Sequence, residues 1–235
     1  MYQLFFTPEW FNGFDLIFES VGLIIALLIA GYSWRVHKLT KENKFAYFSL
    51  AFVLVALGLF FKTFTHSILY FTPVRDVTAI VLKPVMGGTL SFSDLFYRAA
   101  FFFQMAFMLA GWLLIFFISQ KSRGRLNRYY EVNQIALFLY LILLISIIAN
   151  FKYFVFYLTS AVILGMTVLH YYKNYLNNDK NKSTFRVMTA FMLILLSNIA
   201  FVFVFVYSKL YVVGEILLLL GFLLLLYTYR KIVKK

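Results

Sequence analysis

Seven stretches of mostly apolar residues, each long enough to cross a bilayer, leave little else in a chain of 235 residues. A spanning helix needs about 20 such residues, within a range of about 17 to 25. Phe14–Trp34, Phe45–Phe71, Asp94–Ser119, Val132–Ile148, Tyr153–Tyr171, Thr184–Tyr207 and Leu210–Tyr229 qualify. At 63% hydrophobic and 13% charged residues, the chain holds more apolar side chains than a globular core of this size could enclose. Backbone polar groups in lipid must be satisfied within their own segment, so the spans are helical. The expected fold is all-α: a polytopic membrane protein with seven transmembrane helices in a single domain over residues 1–235, multi-pass in the cell membrane, with the lipid bilayer as its first partner.

The basic residues set the orientation. Arg35, Lys38, Lys41 and Lys44 flank the first loop, and Lys121, Arg123, Arg125 and Arg128 lie in the third. Lys173, Lys180, Lys182 and Arg186 flank the fifth, and Arg230, Lys231, Lys234 and Lys235 end the chain. The alternate loops hold only Arg75, Lys83, Lys152 and Lys209. This alternation predicts N-terminus out and C-terminus in. A net charge of +13 is thereby explained by topology and by attraction to anionic head groups, with a cytoplasmic protein partner on the basic loops as the sharper alternative. Nucleic acid is not expected, because no aromatic interleaving or groove-reading element accompanies the charge. The N-terminal MYQLFFTPEWFNGF has no basic stretch before its apolar residues, and reads as an aromatic interfacial lead-in rather than a cleaved signal peptide.

The outer loop Thr72–Ser93, residues 72–93, is unusually long and contains Pro73, Pro84 and Gly87-Gly88 around VTAIVL. It is expected to cap the outer mouth as a short hairpin or re-entrant piece. Two ungapped matches give an internal echo. KENKFAYFSLAF (Lys41–Phe52) aligns with KNKSTFRVMTAF (Lys180–Phe191), and AGWLLIFFISQK (Ala110–Lys121) aligns with LGFLLLLYTYRK (Leu220–Lys231). Both relate helices one to three to helices five to seven, as 3+1+3 parallel repeats around a lone fourth helix.

Small residues mark the faces that turn inward. Gly22, Ala26 and Ala30 share a stripe with Glu19; Ala51, Val55 and Gly58 share one with Lys62 and His66. Ala100, Gln104, Met108 and Gly111 form the stripe of helix three, and Gly214, Glu215, Leu218 and Gly221 that of helix seven. The topology brings Glu19, Lys62, His66, Gln104 and Glu215 into the outer half of the membrane, with Asp94 and Arg98 slightly above. Charged groups at such depth pair or face a cavity. Glu19, Lys62, His66, Arg98, Gln104 and Glu215 are therefore the expected ligand-binding or buried ion-pair residues, with Lys62 facing Glu19 or Glu215, or else snorkelling to the interface. Asp94 and Arg98 form an i,i+4 pair. Asn198 is expected to bond between helices, and His170 to lie at the inner interface.

No enzyme, metal or cofactor is expected. The chain has no cysteine, and His37, His66 and His170 fall too far apart for one zinc or haem site. It has no serine elbow, phosphate loop or dinucleotide fingerprint. In topology, seven helices with the N-terminus outside resemble the opsins and G-protein-coupled receptors. The retinal lysine of microbial opsins has no counterpart in EILLLLGFLLLLY, Gln104 and apolar neighbours occupy the counter-ion region, and the D/E-R-Y and N-P-x-x-Y motifs are absent. The segment YSWRVHKLTKENKFAYFSLAF looks like the first helical junction of small uncharacterised archaeal membrane proteins, a likeness that carries no function.

The first reading is thus a sensor- or receptor-like protein with a polar pocket in its outer half for a small ligand from outside. The alternatives are a small 3+1+3 transporter, similar in plan to sugar-exporting SWEET proteins, and a membrane scaffold or assembly subunit. Pro8, Pro73 and Pro84 all lie outside the spans, so a transporter here would lack proline-broken helices.

Overall fold

The structure is a computed structural model that describes residues 7–71, 73–74, 77–78, 80, 94–120, 153–177 and 181–233, with side chains except at 9, 69, 94–99, 153 and 233. Among the described residues six helices carry the fold: α1 (Phe14–Thr40), α2 (Asn43–Tyr70), α3 (Asp94–Gln120), α4 (Tyr153–Asn177), α5 (Lys182–Val202) and α6 (Lys209–Val233). All six contain a segment long and apolar enough to cross a membrane, so the chain is an integral membrane protein. The expected span Val132–Ile148 lies outside the described residues, as does most of the loop 72–93. Within that loop Val77, Thr78 and Ile80 have helical backbone, and Thr78 Oγ1 donates to the Val74 carbonyl 2.7 Å away. Helix, rather than a hairpin, forms at these positions.

The helices outrun the spans at the basic end. α1 continues from Trp34 to Thr40 and α4 from Tyr171 to Asn177, since polar residues end a membrane segment without ending a helix. α5 instead stops at Val202, short of the expected Tyr207. The Phe203 N–H is shared between the Ile199 and Ala200 carbonyls, and turns follow to Tyr207. The alternating FVFVFVY keeps the segment apolar without a helical period, so hydropathy alone overran the end.

Each helix packs on the next, and α6 returns to α1, so the six close into a ring. Contacts fix their directions. α1 and α2 are antiparallel: Ser49 Oγ donates to the Ala30 carbonyl at 2.8 Å, and Ser33 Oγ to the Phe45 carbonyl at 2.9 Å. α3 and α4 run parallel, because Phe101 meets Phe156, Phe116 meets His170, and Asn174 donates to the Ser119 carbonyl. α1 and α6 are parallel too, with Phe11 against Tyr211 and Gly22 against Phe222. The ring therefore comprises two units of like direction, α1–α2–α3 and α4–α5–α6. One end gathers Arg35, Lys38, Lys44, Lys173, Lys182, Arg186, Arg230 and Lys231, and is called the basic end below.

The two units are built on the same contact. A β-carbon on Gly111 would lie 2.9 Å from the Ala51 carbonyl oxygen and 2.7 Å from Val55 Cγ2; one on Gly221 would lie 3.0 Å from the Ala190 carbonyl oxygen and 2.6 Å from Ile194 Cγ1. The sequence echo aligns Gly111 with Gly221 and Ala51 with Ala190, and its ungapped continuation aligns Val55 with Ile194. Only a residue without a side chain admits this approach of backbone to backbone. Leu28, Leu57, Phe60, Val162, Leu169, Leu220 and Leu223 are exposed on the outside of the ring, where lipid would cover them.

Candidate functional site

A charge network occupies the end of the ring opposite the basic loops. Lys62, on the Ala51–Val55–Gly58 stripe of α2, is buried, and its Nζ lies 2.5 Å from Glu215 Oε1 of α6 and 2.9 Å from Glu19 Oε1 of α1. The ammonium thus bridges three helices and does not snorkel. One turn further along α2, His66 Nδ1 donates to the Glu19 carboxylate, 2.9 Å from Oε1 and 3.0 Å from Oε2. Lys62 also lies 5.3 Å from the Tyr211 ring centroid and 5.6 Å from that of Phe201, which brings α5 into contact with the cation.

Of the residues expected from sequence, Glu19, Lys62, His66 and Glu215 come together. Gln104 is buried on the inward stripe of α3, with no hydrogen-bond partner for its Nε2 among the described residues. The side chains of Arg98 and Asp94 lie outside the described residues. Asn198 is buried, but donates to the Ile194 carbonyl of its own helix at 2.8 Å, so the expected interhelical bond is replaced by an intrahelical one. His170 packs edge-on against Phe116, half-buried near the basic end.

Sequence reasoning missed Asp15. It is fully buried, and its Oδ1 accepts the backbone N–H groups of Gly13 and Leu16 at 2.9 and 2.8 Å. Its Oδ2 accepts Tyr70 Oη–H at 2.9 Å and lies 3.6 Å from His66 Nδ1. The signal was present, since Asp15 precedes Glu19 by one helical turn and so shares its inward face. It stands at the very start of the apolar run.

The network is tightly packed. The void against Glu19, Gly22, Glu215 and Phe222 measures about 10 Å³, room for one water. Towards the basic end, the next layers hold buried polar atoms without partners among the described residues: Gln104 Nε2 and Trp112 Nε1 on α3, Ser160 Oγ on α4 and Ser197 Oγ on α5. Ser160 and Ser197 lie one turn in from Tyr157 and Phe201, whose rings are 4.7 Å apart. Below them, Phe52, Phe222 and Trp112 form an aromatic layer, and Phe48 stacks on Tyr229 at 4.8 Å.

Beyond that layer the helices part. A cavity of about 730 Å³ lies between the basic ends of α2 to α6, lined in part by Phe48, Ser119, Tyr171, Asn174, Thr184 and Tyr229. Lys44 and Glu42, an exposed ion pair, stand at its mouth. The volume falls within the ordinary range for small-molecule sites, as does a mostly apolar wall with a few polar groups. Among the described residues this cavity lies at the opposite end from the charge network.

No protein family matches this chain, nor does any curated protein or solved structure.

Proposed function

We propose that the protein is a carrier for a small polar molecule, with two three-helix units rocking about a shared passage, and that the structure is its state open at the basic end. The observation that carries this reading is, among the described residues, an ion pair across the units at one end and a cavity at the other. Lys62 ties the α1–α2–α3 unit to Glu215 of the other unit, while a cavity of about 730 Å³ lined by both units lies at the basic end. Gln104 Nε2, Trp112 Nε1, Ser160 Oγ and Ser197 Oγ, buried without partners among the described residues, offer hydrogen bonds to a passenger, and such groups rarely stay unpaired without one.

The shared glycine contact supports the 3+1+3 plan. In this plan the fourth span is Val132–Ile148, the N-terminus is outside and the basic end is cytoplasmic. The parallel course of α3 and α4 supports the seventh span, since the chain leaving α3 at the basic end has to regain the other end before α4 begins. Unbroken helices are no obstacle, because parallel repeats can alternate access largely by rigid-body rocking. A receptor or a scaffold has no need of a cavity closed at one end by a cross-unit ion pair.

Spin labels on Lys44→Cys and Lys182→Cys, at the basic ends of α2 and α5, test the rocking in lipid. Adding Glu215→Gln, which weakens the closed end, should move the distance distribution to shorter values. An unchanged distribution would overturn the carrier.

A further inference from the structure

The buried network has an imbalance of charge. Three carboxyl groups, Asp15, Glu19 and Glu215, face two groups able to be cationic, Lys62 and His66. Among the described residues, the other titratable groups around it are the phenols of Tyr70 on α2, Tyr157 on α4 and Tyr211 on α6, while α5 contributes Phe201. Even with Lys62 and His66 both charged, the described groups carry one negative charge in excess. An uncompensated charge away from water is costly, and in practice such a group is neutralised.

The partners single out one carboxyl. Asp15 accepts two backbone N–H groups and a tyrosine hydroxyl. Glu19 accepts from Lys62 and His66, with Tyr211 Oη at 3.5 Å. Among the described residues Glu215 has Lys62 alone. Glu215 is also the one of these three carboxyls on the second unit, so its ionisation state decides whether the ion pair spans the two units.

We propose that the Asp15–Glu19–Lys62–His66–Glu215 network is a proton-binding site that couples the carrier to the proton, with Glu215 as the group that takes it up. In the closed state Glu215 is ionised and holds Lys62 across the unit boundary. A proton from the medium neutralises Glu215, Lys62 turns to Glu19 within its own unit, and the ion pair between α2 and α6 is lost. The closed end is then free to open. Release of the proton restores the tie. No covalent bond changes beyond the carboxyl O–H formed and broken. The coupling rests on the carrier reading; the proton site does not.

Two measurements on the full chain in lipid separate these claims. Infrared difference spectra between about pH 9 and about pH 4, a range spanning ordinary and burial-shifted carboxyls, should show a buried carboxyl C=O band that appears on acidification. The band should be lost in Glu215→Gln and kept in Asp15→Asn. A Glu215→Gln spectrum identical to that of the parent overturns the proton site, as does a site that answers to sodium ion with no carboxyl band. The spin-label pair of the preceding subsection should move on acidification in the parent and be indifferent to pH in Glu215→Gln. A band that depends on Glu215 without any movement leaves the proton site standing and overturns the coupling. Unfolding of Glu215→Gln as cooperative as the parent shows that the variant is folded, and Glu215→Asp, which keeps a carboxyl, should retain both responses.

Discussion

Lys62 is the residue that joins the two units at the charged end, because among the described residues it alone compensates Glu215 while also serving Glu19. Lys62→Met would strand Glu215, and breaking a buried pair from one side costs about 3–5 kcal/mol. Thermal unfolding in mild detergent should show that loss. The double variant Lys62→Met/Glu215→Met should be more stable than Lys62→Met, since it removes the orphaned charge as well. Equal stability of Lys62→Met and the parent would mean that the ammonium is not held as described. Much of this was legible in the sequence. Three- and four-residue spacing from Ala51 and Gly58 turns Lys62 and His66 inward, and small residues beside Glu19 and Glu215 do the same. The choice of partner was not legible. Lys62 takes both carboxylates, and Asp15 joins through Tyr70 and His66, because depth along a helix does not fix how helices rotate against one another.

At the scale of helices, close approach depends on glycines at equivalent places in the two units. Gly111→Ala and Gly221→Ala would each force a β-carbon within 3.0 Å of a backbone carbonyl on the facing helix. Each should destabilise by about 1–3 kcal/mol, the usual cost of overpacking. At Gly31 and Gly165 a β-carbon would meet nothing within 4 Å, so alanine there should be neutral or stabilising by up to about 1 kcal/mol through helix propensity. Unfolding midpoints of the four variants check the contrast. A Gly221→Ala protein as stable as Gly165→Ala would remove the structural basis for equating the units. The sequence echo pairs the same positions, although short matches in apolar sequence arise easily by chance. A shared backbone contact is stronger support, since composition does not generate it. Helix ends were less legible, because hydropathy reports where lipid ends and not where hydrogen bonding does.

For the whole molecule, the ring presents a cavity at one end and a packed ion network at the other. Sequence indicated the depth of the polar residues, but not that the void beside Glu19 and Glu215 would measure about 10 Å³, nor that a cavity would lie at the basic end. Both depend on how six helices splay, which no local pattern encodes. The most direct test of a carrier uses the absence of cysteine from the chain. Ser197→Cys places one isosteric thiol on a buried face of α5, between the network and the cavity. In oriented proteoliposomes a membrane-impermeant thiol reagent added at the end opposite the basic loops should leave it unmodified while Lys62 and Glu215 are intact. In the Glu215→Gln background it should be modified about tenfold faster from that side, a shift of about 1.4 kcal/mol in the balance of states, and Val187→Cys in the cavity wall should become correspondingly less accessible from the basic side. Reciprocal change at the two positions is what the carrier predicts; labelling from each side that ignores the Lys62–Glu215 pair would contradict it.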